Sequence, residues 1–186
     1  MKLFPVSLMA ACVLATAAHA QTSPYAGEQA RDIKSLSAQE AADLAAGQGM
    51  GLAKAAELNG YPGPAHVLEH ADALGLTAQQ RGATQALMSA HKSRARVLGL
   101  ALIAAERALD DAFRTRRIDD AALARLTSDI GRLQAQLREE HLRTHLAQTA
   151  LLDARQVERY PVLRGYVSAG TEPRTGTPPV HQHKHH

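Results

Sequence analysis

Between Ala78 and Arg117 the chain carries no proline, and Leu87, Leu98, Leu102, Leu109 and Phe113 are spaced for one face of a helix. An element of that extent is on the order of 60 Å long, at about 1.5 Å per residue. Ile118 and Asp119 then supply a turn and a cap, and a second stripe follows: Leu123, Leu126, Ile130, Leu133 and Leu137, in steps of three and four. Two long helices joined by so short a connection predict an antiparallel hairpin. Aromatic residues make up only 3% of the chain, so the core must be built from Leu, Ala, Ile and Val, which suits long helices better than a sheet. The expected fold class is all-α.

Local chemistry marks where the flanking helices begin and end. Ser37 followed by Glu40 is a capping box, so a helix is predicted to open at Ala38. Gly47, Gly49 and Gly51 around Met50 interrupt it, and a second stretch is expected from Leu52 to Leu58, ending at Asn59-Gly60 in a left-handed cap. Tyr61-Pro62-Gly63-Pro64 is a turn; a short helix from Ala65 to Leu74 follows, closed by Gly75. Thr77 and Gln80 make another capping box, with Leu76 placed as a hydrophobic staple. The arrangement recurs after Leu152, where Asp153 stands in the threonine's place and Gln156 lies three residues on. Both are competent helix starts whatever else they do. A last short helix runs toward Tyr160, where Pro161 is expected to end or kink it.

The beginning of the chain reads as an export signal. Leu3 to Ala18 is almost continuously apolar behind Met1 and Lys2, and Ala18-His19-Ala20 is a small-residue cleavage pattern. The run is shorter than the roughly 20 residues that span a bilayer, so the expectation is a periplasmic protein cleaved after Ala20, without membrane insertion. Leu8-Met9-Ala10-Ala11-Cys12 loosely fits a lipid-attachment box, but the apolar run continues past it to a better cleavage site. Cys12 is the only cysteine, which leaves the mature chain without a disulfide. Four regions result: a signal peptide over 1–20, an N-terminal helical segment with its Pro/Gly turn over 21–64, the main helical domain over 65–166, and a tail over 167–186 whose Gly, Pro, Thr and His content predicts disorder.

Histidine spacing carries the most specific chemistry. His66 and His70 are four apart, as are His141 and His145, and an i,i+4 pair places two imidazoles within reach of one Zn, Cu, Ni or Co ion. If the hairpin turns near Ile118, residues whose numbers sum to roughly 235 face one another. His91 then stands opposite position 144, beside His145 and about a turn from His141, with Met88, His66 and His70 as further candidate ligands. Half-buried histidines satisfied by hydrogen bonds are the competing account. His181, His183, His185 and His186 give the tail its own weak affinity for transition metals on composition alone.

Other chemistries find little support. His66 to His70 matches H-x-x-E-H, but neither the length nor the helical pattern provides the domain a zinc protease of that type needs. No nucleophile–base arrangement and no phosphate-binding glycine loop is readable, so no catalytic residue and no enzyme is expected. A formal charge of +3 with both signs interspersed fits a solvated helical surface rather than a nucleic-acid grip.

The two motifs, Leu76-Thr77-Ala78-Gln79-Gln80 and Leu152-Asp153-Ala154-Arg155-Gln156, resemble the LTxxQ signature of the Spy/CpxP family of periplasmic proteins. The resemblance spans roughly Pro64 to Tyr166, and Asp153 departs from the threonine. It implies a cradle-shaped helical homodimer that holds unfolding client proteins without ATP, and a place in the envelope stress response. A branch of the family senses nickel, cobalt or zinc through helical histidines, which implies a heavy-metal sensor with a signalling partner as the alternative; no cofactor is obligatory. A thin hairpin that cannot bury both faces points the same way, since apolar surface must dimerise or meet clients.

Overall fold

A computed structural model describes residues 23–167. The expected signal peptide and His181, His183, His185 and His186 lie outside the described residues. Helix α1 (Ala38–Ala46) opens on Ser37, whose hydroxyl accepts from the Glu40 amide at 3.1 Å while the Glu40 carboxylate accepts from the Ser37 amide at 2.8 Å. Gly47 closes it at φ +66°, a conformation that costs glycine little. The next two helices are shorter than their sequence patterns predict. Helix α2 covers only Lys54–Glu57, because hydrogen-bonded turns from Gly49 to Ala53 consume the residues before it. Helix α3 covers Pro64–Glu69; His70 leaves the helical region, and further turns carry Ala71 and Leu74 inward before Gly75 reverses the chain at φ +65°.

Helix α4 (Ala78–Arg114) and helix α5 (Asp120–Leu151) are the two long elements, and Asp119 caps the second by accepting from the Ala122 amide at 2.7 Å. They run antiparallel: Thr84 meets Gln148, and His91 meets Thr144. Their buried faces keep Leu102, Leu126, Ile130 and Leu137 of the leucine stripes and add small and polar residues that the stripes did not contain. Thr84, His91, Ala95, Gly99, Leu102 and Glu106 are buried on α4, and Leu126, Ile130, Leu137, His141, Thr144 and Gln148 on α5. Phe113 is 53% exposed and Leu123 37% exposed, while Leu98 and Leu109 only flank the seam. Close approach is the reason. Helix α1 crosses α4 at Gly99, where an added Cβ would stand 2.1 Å from the Leu44 carbonyl oxygen. Leu44 thereby joins Ala95, Leu102, Ile130 and Leu137 in one core cluster.

The segment before α2 thus covers a face of the helix pair. Its grip is also polar: Arg107 holds both oxygens of Asp32 at 3.0 and 2.7 Å, and the Ser35 hydroxyl donates to Glu106 at 2.8 Å. Helix α6 (Ala154–Leu163) closes the opposite end, where Val67, Leu74 and fully buried Tyr160 pack with Leu76, Leu152 and Leu163. Pro161 lies inside α6 and does not end it. Late in a short helix its missing N–H forfeits a single bond, and Gly165 at φ +71° supplies the reversal. No helix among the described residues is long and apolar enough to cross a membrane.

Candidate functional site

The two motifs meet. Thr77 and Asp153 each cap their helix by accepting from the amide of Gln80 and Gln156, at 3.1 and 2.9 Å. Each glutamine oxygen accepts in return from its own cap residue's amide. The two side chains then pair with one another, Gln80 Nε2 donating to Gln156 Oε1 at 2.9 Å and Gln156 Nε2 to Gln80 Oε1 at 3.1 Å. The leftover amide hydrogens reach the carbonyls of Leu151 and Leu74, each just ahead of the opposite motif. A polar pair, buried at Gln156 and partly so at Gln80, ties the start of α4 to the start of α6 with every side-chain donor engaged.

One turn or more along the seam lies a cavity of about 320 Å³. His66, Met88, His91, Lys92, His141 and His145 line it, together with backbone from the Gly47 and Gly63 loops. His70, freed from helical geometry by the early end of α3, does not. Three of the four histidines are oriented by an oxygen on Nδ1: Glu140 at 3.1 Å and Thr144 at 2.9 Å for His91, the Tyr61 carbonyl at 2.8 Å for His145, and Glu69 at 3.1 Å for His66. Carbonyl and carboxylate oxygens only accept, so each of these Nδ1 atoms carries a hydrogen. Gly63 leaves the His145 nitrogen uncovered; a Cβ there would stand 2.9 Å from it. His141 packs edge-on against His91 with ring centroids 4.6 Å apart, and its buried Nε2 has no protein partner.

No protein-family model, curated protein or solved structure matches this chain.

Two of these rings, His91 and His141, resist protonation. Burial pushes His141 down to about 4, and neighbouring His91 adds to the effect. His91 is lowered too, chiefly by burial, although Glu140 pulls the other way. Burial acts to raise Glu140, but hydrogen bonds from Arg94 at 2.9 Å and from His91 outweigh it and hold the carboxylate low. Neutral imidazoles are the form that binds metal. Among the described residues, no group of three His, Cys, Asp or Glu side chains is gathered closely enough to hold an ion. The histidines stand around the cavity rather than converging on one point.

The segment Ala56 to Pro64, whose role the sequence left open, builds the wall behind this site. The Glu57 carboxylate accepts from Tyr160 at 2.7 Å, Tyr166 at 2.9 Å and Arg164 at 3.1 Å. Burial would raise Glu57, yet these donors hold it below the ordinary range, while burial and that carboxylate push Tyr160 up. The clamp pins the Leu58–Gly63 loop against α6 and aims the Tyr61 carbonyl at His145. Donor and acceptor lie about a hundred positions apart with no local pattern linking them, so sequence spacing carried no signal for it.

Proposed function

We propose that this chain is an exported helical protein of the Spy/CpxP type whose histidine cavity binds a transition-metal ion, in a sensing or buffering role. The single observation that carries the reading is the grouping of His66, Met88, His91, His141 and His145 around one cavity, with His91, His145 and His66 each held through Nδ1 by an oxygen. Oriented imidazoles of this kind are the usual surroundings of bound metal. His141, His91, His145 and His66 are the candidate ligands, with Met88 beside them; the tail histidines would add weaker sites. The test is calorimetric titration of Zn(II), Ni(II), Co(II) and copper into full mature protein carrying Ala at His181, His183, His185 and His186. About one ion per chain is expected, lost in His141→Ala, as a single closed site requires. An absence of binding in the tail-substituted protein would sink the proposal.

A second reading, ATP-independent chaperoning of unfolded envelope proteins by a cradle-shaped homodimer, is favoured by a different feature. An apolar groove of about 580 Å³ runs between α1 and α5, lined by Leu36, Leu44, Met50, Leu52, Leu102 and Leu137. Val97 and Leu100 are exposed on α4, on the side of the helix away from Leu102. Exposed apolar surface of that kind suits a client or a second copy. Suppressed aggregation of a denatured client that survives His141→Ala would support it, and an inert protein in that assay would remove it.

A further inference from the structure

We infer that the strap over residues 28–36 and the α1 helix that follows it form an ion-latched cover, which swings off the helix pair as a unit and bares the apolar surface at Leu102 and Leu137. Four observations carry this. The cover has few apolar anchors: α1 buries only Leu44 and the strap only Ile33, whereas α4 and α5 each bury six residues. Local opening starts where buried apolar contact is least. The space beneath the cover is also incompletely filled. Helix α1 rests on α4 rather than on α5, and the groove of about 580 Å³ left beside α5 is lined by Leu102 and Leu137. On its α5 wall, a Cβ added at Gly131 would meet nothing within 4 Å.

The third observation is a hinge. Gly47 at φ +66°, Met50 at φ +44° and Gly51 at φ +76° put three left-handed residues within five positions directly after α1. Methionine lacks glycine's freedom there, so the closed cover holds some backbone strain at its pivot. Beyond the pivot the chain is fixed, because Glu57 at the end of α2 accepts from Tyr160 and Arg164. The fourth is the latch. Arg107 forks Asp32 at 3.0 and 2.7 Å, and the Lys34 ammonium lies 3.7 Å from Asp110. The Arg107 and Asp32 side chains are 47% and 77% exposed, so dissolved ions screen the pair and a rise in ionic strength loosens the cover. The Ser35 hydroxyl on buried Glu106, at 2.8 Å, is a neutral donor and supplies a hold that salt does not release. Opening itself depends on neither functional reading; its use, to offer Leu102 and Leu137 to an apolar segment of an unfolded chain, rests on the chaperone reading.

The experiment is amide hydrogen exchange, read by mass spectrometry, on full mature protein in about 0.02 M and about 0.5 M sodium chloride. Amides of α1 should exchange well ahead of those around Leu137 and Thr144 on α5, and about two- to fivefold faster in the higher salt, the factor that an exposed pair supplies. Arg107→Gln should bring the faster exchange already at low salt and lose most of the salt response, with helical circular dichroism unchanged. Ser35→Ala should speed exchange but keep the salt response. Exchange of α1 in step with α5 would overturn the cover, since the layer would then open only by global unfolding. A salt response undiminished in Arg107→Gln would overturn the latch. Salt-driven opening in a protein that suppresses no client aggregation would sustain the cover and remove the chaperone reading alone.

Discussion

Acid should loosen this protein in a window set by one buried imidazole. His141 is 4% exposed, and its value is depressed from the ordinary 6.5 to about 4, first by burial and then by His91. Above pH 6.5 the ring is neutral whether the chain is folded or not, and the group contributes nothing to the pH dependence. As pH falls below that value the unfolded chain takes a proton that the folded chain refuses, so stability drops; below about 4 both states are protonated and the loss levels off. At about 1.4 kcal/mol per pH unit, the full gap corresponds to about 3 kcal/mol, of which about 2.5 kcal/mol is gone by roughly pH 4.5. His91 is shifted in the same direction and adds to the slope. Glu140, held low by Arg94 and His91, loses its contribution only below the ordinary carboxylate range, outside this window. Urea unfolding followed by circular dichroism, in chelator, at several values from about pH 7.5 to about pH 4.5 reads the slope directly. His141→Gln has no proton to take up there, so its curve should be flatter by about 2.5 kcal/mol over the same interval. Equal slopes in the two proteins, or stability that rises on acidification, would refute the reasoning.

Three substitutions test the rest of the architecture. Gln80→Ala leaves the buried Gln156 amide short of partners and should cost about 1–3 kcal/mol by urea midpoint; adding Gln156→Ala should cost less than the two singles together. Gly99→Ala drives a methyl group into the Leu44 carbonyl, which is backbone and cannot step aside, so α1 should lift from α4 at a cost of about 1–3 kcal/mol, read as faster tryptic cleavage after Lys54. Gly63→Ala keeps an ordinary backbone angle of φ −93° but covers the Nε2 of His145; metal affinity in the tail-substituted protein should fall by about tenfold with helical content unchanged. An unaltered affinity would show that His145 takes no part in binding.

What could be read from the residues alone follows how far each interaction reaches along the chain. Caps are local: Ser37–Glu40, Thr77–Gln80 and Asp153–Gln156 each join a side chain to a backbone amide three positions away, and all three boxes form. A tight turn at Ile118 and Asp119 carries local information further, because two helices leaving it must pair by a constant sum of numbers; Thr144 accordingly stands 2.9 Å from His91. Leucine periodicity found Leu102, Leu126, Ile130 and Leu137 but not the small and polar residues buried with them. Where α1 crosses α4 the backbones come too close for any side chain, so Gly99 stands at the crossing, while Phe113 faces outward. Packing distance selects small residues there, and a hydrophobicity pattern cannot register a residue that is buried for being small.

The histidine pairs divide on the same physical ground. Four-residue spacing puts two rings on one face only if the helix continues through both, and α5 runs unbroken past His141 and His145, which share the cavity. Helix α3 stops at Glu69, so His70 turns away and its partner His66 reaches the cavity alone. After α3 ends, Ala71 is buried and Leu74 enters the second core before Thr77 opens α4. A ligand pair in the sequence is therefore only as sound as the tertiary reason for its helix to go on. Two of the cavity's histidine supports are held from elsewhere, α5 by the seam and the Tyr61 carbonyl by the distant clamp at Glu57, whereas His66 leans on Glu69 of its own helix.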